Sequence, residues 1–315
     1  MKMLVTGGAG FIGSQLVDQL RLVHEVMIVD SLHSYYDPAW KQRRLNGLLE
    51  DASVSWVCAD ICDEDQLKPV FEFFRPERVI HLAAMPGVQP SLSDPALYVD
   101  VDVKGTVQLL SLSAEYEVSR FVFASSSSVY GANGDHPCKE GDVLEPVSPY
   151  AAAKAAGEIY CRTYERLYGL PVTINRLFTV YGPEQRPDMA LWKFSKQLFM
   201  GQPIKLYGVN VGRDYTYIAD TVDGFVRAVT LEQAAGRTYN IGSGRIILIQ
   251  EVIRLLEAAF GRKAQIEYQE LPRGDVPLTW ADTEQAEREL GFKASVSIAE
   301  GIQRFVTWFL QHQQL

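Results

Sequence analysis

"TGGAGFIG", residues 6–13, lies between the apolar run Met3–Val5 and a segment whose apolar positions Leu16, Val17, Leu20 and Val23 recur at helical spacing. Gly7, Gly10 and Gly13 therefore stand where a strand turns into a helix. Glycine lets the backbone turn tightly there and approach a pyrophosphate, whose charge is favoured at the helix N-terminus. The spacing alone is a weak signal, but its neighbours strengthen it. Asp30 ends the next apolar run, "EVMIVD", about twenty residues on. A carboxylate there accepts the ribose hydroxyls of an adenosine and repels a 2′-phosphate, which favours NAD over NADP. Asp60, in "CADI", is placed to accept from an adenine amino group, or equally to cap its own strand end.

Outward from this loop the pattern repeats. "EVMIVD", "VSWVCAD", "RVIHLAA" and "RFVFASS" read as buried strands with helical segments between them, such as "VDVKGTVQLLSLSAEYEV" at 101–118. Near-continuous apolar strands alternating with helices imply an α/β fold, a Rossmann-type doubly wound parallel sheet covered on both faces. "PVTINRL" reads as a further strand. Turns, arginines and aromatics then cluster up to about 215, and the last seventy residues carry two helices, "IQEVIRLLEAAF" and "SIAEGIQRFVTWFLQ". With no repeat and no linker, the second region is expected to be woven from several segments.

The chain has 315 residues, 47% of them apolar, enough for one large domain or two coupled ones. A net charge of −9 argues against a nucleic-acid or anionic-membrane surface. It still allows an anionic small molecule held by a few local arginines. Cys58, Cys62, Cys138 and Cys161 lack paired zinc-site spacing and are expected to be free thiols of a reducing compartment, with no metal. The first strand begins at once, so no targeting segment is expected. No apolar run reaches the roughly 18 residues that cross a bilayer, and the expected location is cytoplasmic.

"SPYAAAK" sets Tyr150 and Lys154 four apart, on one helical face. A free tyrosine titrates at about 10, too high for a base at neutral pH. A neighbouring ammonium and the positive nicotinamide ring of NAD favour the phenolate and make it a workable general base. Tyr-x-x-x-Lys on a helix is more often a surface pair. Here it accompanies the glycine loop and, two dozen residues before it, "SSSSVYG" (residues 125–131). Four hydroxyls at a strand tip suit either a capped turn or a polar ligand. Alternate strand residues point to opposite faces, so the four cannot all serve one group by side chain.

In order, "TGGAGFIG", "HLAA", "SSSSVYG", "SPYAAAK", "YGP", "RDYTYIAD" and "YNIGSG" resemble the extended short-chain dehydrogenase/reductase (NAD-dependent epimerase/dehydratase) family of nucleotide-sugar enzymes, over essentially the whole chain. "DSLHSYYDPAWKQRRL" and "FTVYGPEQRPDMALWKF" resemble its UDP-glucuronate 4-epimerases in particular; relatives with other substrates usually carry asparagine at Thr179 and lack the "RPDMA" segment. The resemblance implies a domain of residues 1–175 plus about 214–240 that holds NAD. It also implies a smaller α/β domain, about 176–213 plus 241–315, for a UDP-sugar. NAD is expected on the glycine loop (Gly7, Gly10, Phe11, Ile12, Gly13), at the strand ends (Asp30, Ser31, Asp60, Ile61, Leu82, Ala83, Ala84), and beside Tyr150 and Lys154.

Ser126, four before the tyrosine of "VYG", is expected to work with Tyr150 and Lys154 in catalysis. Ser127, Ser128, Thr179 and Arg186 fall where the family holds a sugar carboxylate, with Met189 beside them. Arg213 and Arg273 fall where it holds the UDP phosphates. Arginine suits that task because its fork is planar and always charged. A homodimer through helices at about 101–118 and 150–168 is also implied.

Two positions depart from the family. Asp102 replaces a usual asparagine that braces the helix bearing the tyrosine. Gln89 replaces an arginine common in the glucuronate enzymes. The expected reaction is reversible inversion at C4 of UDP-glucuronate through a 4-keto sugar, giving UDP-galacturonate. The rivals are a UDP-glucose or UDP-N-acetylglucosamine 4-epimerase, a UDP-glucuronate decarboxylase, and a non-catalytic NAD-binding sensor.

Overall fold

The computed structural model describes residues 1–132 and 136–312. Seven strands form one parallel sheet. From one edge to the other they are Arg237–Ile241, Val172–Leu177, Arg120–Ser126, Arg78–His81, Lys2–Thr6, Glu25–Val29 and Val54–Val57. Strand order reverses at Lys2–Thr6, which pairs with Glu25–Val29 on one side and Arg78–His81 on the other. The connections therefore leave a crevice at the C-terminal ends of these strands.

Side chains alternate across the sheet, as the two-residue period of a strand demands. Met3, Val5, Ile28, Ile80 and Val122 enter one core. Leu4, Met27, Val29, Val79 and Phe121 enter the other. Helices Phe11–Leu20 and Ile218–Thr230 cover the first face. Helix Glu64–Phe74 helps to cover the second. The first core runs on through Leu256 and Phe305 of helices Ile249–Phe260 and Ile298–Gln311. The later region is woven as expected. Its small sheets pair Thr179–Tyr181 with Tyr215–Tyr217, and Ile204–Tyr207 with Ile266–Gln269. A third joins Gly212–Arg213 to Ile247–Leu248 and Leu278–Thr279.

Three local expectations need correction. Leu16, Val17 and Leu20 are buried, but the helix stops at Leu20 and Val23 is 74% exposed. The chain must turn there because the next strand begins at Glu25. The helix expected at 101–118 is two pieces, a π-turn at Val99–Lys104 and an α-helix at Gly105–Glu115, with a separate short helix, Pro95–Tyr98, just before them. The last seventy residues hold a third, short helix, Glu284–Leu290, whose charged face hid its two buried anchors, Ala286 and Leu290. Among the described residues no helix is long and apolar enough to cross a membrane.

Candidate active site

The crevice is a cavity whose floor is backbone. Gly7 has φ +72°, and a Cβ there would stand 2.7 Å from the Ala83 nitrogen. A Cβ on Gly13 would stand 2.2 Å from the Gly7 carbonyl oxygen. Both positions thus exclude any side chain, and they bring the loop and the N-terminus of helix Phe11–Leu20 against the strand ends. Gly10 is the N-cap and offers no side-chain bond, so the first amides of the helix face the cavity unsatisfied. That is a cradle for a diphosphate.

All fourteen residues expected to hold NAD line this one cavity. Asp30 is buried; it accepts from the Ala9 amide at 3.1 Å and the Leu32 amide at 2.8 Å, with the Lys41 ammonium 3.9 Å away. Burial lowers the pKa of Lys41, and the Asp30 charge opposes that shift. Asp60 accepts from the Cys62 amide at 2.9 Å, so it caps its own turn while lining the cavity. These residues fit the dinucleotide expected from the sequence.

Tyr150 and Lys154 come from helix Pro149–Tyr168, started by Pro149 and capped by Ser148, which accepts from the Ala151 amide at 3.2 Å. The Lys154 Nζ lies 6.0 Å from the Tyr150 ring centre and 3.6 Å from a carboxylate oxygen of Asp102. The other Asp102 oxygen accepts from the Met85 amide at 2.6 Å. Asp102 is fully buried on the π-turn, and its Oδ2 has no hydrogen bond. Burial pushes its pKa up, and the Lys154 charge only partly offsets this. Nearby, His81 is enclosed between the hydroxyls of Thr6 and Thr106, and burial lowers its pKa to about 3; it is a neutral structural residue.

The serine run divides. Ser125 donates to buried Glu158, which holds Arg176 at 2.7 and 2.9 Å. Ser126 accepts from the Ser128 amide at 3.2 Å and the Ser128 hydroxyl at 3.0 Å, leaving its own proton to give. Ser127 and Ser128 are half-buried in the 3-10 turn that follows.

Arg186 reaches the same cavity as Tyr150. Its guanidinium is held by Asp188 at 2.9 and 3.0 Å, and Tyr35 donates to Asp188 at 3.4 Å. Burial opposes the Arg186 charge, but Asp188 outweighs it and keeps the group above its ordinary pKa. Ser126, Ser127, Ser128, Thr179, Met189, Arg213 and Arg273 lie outside the cavity lining. Thr179 starts a strand and faces Tyr215 across it; Met189 caps helix Ala190–Met200. Arg213 donates to the carbonyls of Gly212 and Pro277, both at 2.9 Å. Arg273 is exposed on a loop whose carbonyl accepts from Gln89 at 3.0 Å.

Sequence reasoning missed His33, Tyr35, Tyr36 and Lys41 on the cavity wall. All four lie in "DSLHSYYDPAWKQRRL", three of them between the strand end at Asp30 and helix Pro38–Leu48 and Lys41 on that helix, at no fixed motif spacing.

A family model described as GDP-mannose 4,6 dehydratase matches residues 4–305. A UDP-glucuronate 4-epimerase of Thermodesulfobacterium geofontis is 39% identical over 99% of this chain and 97% of its own. Two solved structures superpose closely, each at 33% identity and covering 99% of this chain. One is the UDP-glucuronic acid 4-epimerase of Bacillus cereus in complex with UDP-glucuronic acid and NAD, TM-score 0.95, matched over 99% of its length. The other is the UDP-glucose 4-epimerase of Thermotoga maritima with UDP-glucose, TM-score 0.92, matched over 100% of its length.

Proposed function

The chain belongs to the NAD-dependent epimerase/dehydratase family of extended short-chain dehydrogenases/reductases, and within it we propose that its substrate is UDP-glucuronate and its product UDP-galacturonate. It is an NAD-dependent enzyme of the nucleotide-sugar 4-epimerase/dehydratase class. The observation that carries the finer reading is Arg186, a cationic fork in the wall of the cavity that also holds Tyr150 and Lys154.

In this reading Tyr150, as phenolate beside Lys154, takes the C4 hydroxyl proton, and Ser126 relays it. Bound NAD supplies a reversible hydride acceptor at C4. The 4-keto sugar turns over in the site and is reduced on its other face, so NAD is regenerated and the protein's work is orientation and electrostatics. A 4-keto uronate is a β-keto acid and loses CO₂ unless its carboxylate is held. Arg186, Thr179, Ser127 and Ser128 do this, while Arg213 and Arg273 take the UDP phosphates. The proposed division of the chain follows: residues 1–175 and about 214–240 hold NAD, and about 176–213 and 241–315 hold the sugar nucleotide. Exposed Ile159, Leu167 and Tyr168 on the tyrosine-bearing helix support a homodimer through that helix.

A second reading, a neutral-sugar 4-epimerase, is favoured by one observation: Asp188 already neutralises Arg186. Purified protein incubated with UDP-glucuronate, UDP-glucose and UDP-N-acetylglucosamine distinguishes the two. UDP-galacturonate from the first substrate is the expected result. Products from the neutral sugars alone overturn the uronate reading, and a pentose product indicates decarboxylation.

A further inference from the structure

The two stretches of sequence peculiar to the glucuronate-like pattern, residues 30–45 and 178–194, meet in space at an ion pair between a buried arginine and a partly exposed glutamate. Arg44, on helix Pro38–Leu48, has a side chain only 5% exposed. Its Nε donates to a Glu184 carboxylate oxygen at 2.8 Å, one Nη donates to the Glu184 carbonyl, and the other donates to the Tyr36 hydroxyl at 3.0 Å. The second Glu184 carboxylate oxygen accepts from the Trp308 indole at 3.1 Å. Glu184 itself sits at φ +68°, a left-handed conformation that a glutamate rarely adopts. Such a conformation persists only where its surroundings over-determine it. Here both carboxylate oxygens and the carbonyl are held. Two residues further on, Arg186 enters the cavity, and Asp188, which holds its guanidinium, is itself held by Tyr35 from the same segment as Arg44.

We propose that Arg44 is a positioning residue for acidic-sugar specificity: by clamping Glu184 in its left-handed turn it sets where the Arg186 guanidinium meets the sugar carboxylate. This rests on the reading that Arg186 binds that carboxylate. Arg44 touches neither cofactor nor substrate in this scheme. It acts by fixing the turn that carries Arg186, and a misplaced fork loses bidentate geometry before it loses charge.

The test compares kcat/KM for UDP-glucuronate and for UDP-glucose in the wild type, Arg186→Ala, Arg44→Met, and the double variant Arg44→Met/Glu184→Gly. The double variant leaves no buried charge unpaired, and glycine adopts the left-handed turn freely, so it keeps the test open if Arg44→Met fails to fold. Bound NAD and melting temperature are read for each protein. The expected result is a loss of about tenfold with UDP-glucuronate, mostly in KM, and a change under about twofold with UDP-glucose. Placed in the Arg186→Ala background, Arg44→Met should add nothing to the uronate loss. Equal losses with both sugars, or an additive loss in that background, overturn the positioning role while leaving the Arg186 reading intact. A wild type that does not prefer the uronate, with Arg186→Ala neutral, overturns that reading and with it this one.

Discussion

Gly7 and Gly13 form the dinucleotide cradle with backbone atoms, whereas Arg186 and Arg213, on the proposed sugar side, donate to Asp188 and to the carbonyls of Gly212 and Pro277. The cradle offers free amides at a helix N-terminus and needs no change to accept a diphosphate. On the proposed sugar side the arginines are already partly engaged by the protein's own acceptors, so a substrate anion would share these cations with them. A preorganised site binds without reorganisation, and a self-satisfied site binds only ligands that outbid its internal partners. The first arrangement suits a cofactor retained through many turnovers. The second suits a substrate that must leave, and under the proposed function it would make discrimination a contest between the substrate carboxylate and Asp188 for Arg186.

The sharpest way to separate the two regions is to disable chemistry at the rim of the cavity with the smallest change in shape. Tyr150→Phe removes one hydroxyl on the rim of the cradle. Turnover is expected to fall about a thousandfold while bound NAD is unchanged, read by single-turnover kinetics and by NAD released on denaturation. A residual rate near that of the wild type removes Tyr150 from the mechanism. Next in size, Gly13→Ala places a methyl 2.2 Å from the Gly7 carbonyl oxygen. A backbone that cannot yield should lose about 3 kcal/mol of stability together with its NAD, measured by denaturant melts and cofactor content. An alanine variant that keeps its NAD breaks the claim that the cradle is set by backbone approach.

The same contrast explains what the sequence made legible. Gly7, Gly10 and Gly13 state a steric need at fixed spacing, and Asp30 and the Tyr150–Lys154 pair sit at distances a strand or helix dictates, so all line the cavity as expected. The parallel sheet was legible because its strands are near-continuous apolar runs. Asp188 on Arg186, Arg44 on Glu184 and Gln89 on the Arg273 carbonyl are contacts between residues whose separation is set by packing or by an irregular turn, and no local pattern encodes them. The π-turn at Val99–Lys104 was hidden for a related reason: its sequence alternates valine with charged residues and carries no local mark of the turn that buries Asp102 against Met85 and Lys154.

Smaller than either of these is the effect expected on the sugar side. Arg186→Ala should lower kcat/KM for UDP-glucuronate by about thirtyfold, the loss of a charge-assisted fork, with UDP-glucose turnover and bound NAD little changed. Loss of NAD in this variant breaks the division between the two regions, since Arg186 lines the cofactor cavity too. Equal losses with both sugars assign Arg186 to the fold.

Asp102 brings the second style of construction into the first region. Its carboxylate lies 3.6 Å from the Lys154 ammonium and so opposes the positive charge that favours phenolate at Tyr150. Burial raises the Asp102 pKa above the ordinary 3.8, so the group is neutral over a wider acidic range than an exposed aspartate. Below that raised value it resembles an asparagine, and above it the negative charge restrains the base. Asp102→Asn should therefore match the wild type at the acid end, where the Asp102 carboxyl is neutral, and run about two- to fourfold faster at pH values where Asp102 is ionised, read from kcat against pH. A ratio below one across the whole range means that the carboxylate assists Lys154 rather than restraining it, and the departure from asparagine is then a gain in orientation and not a cost in charge.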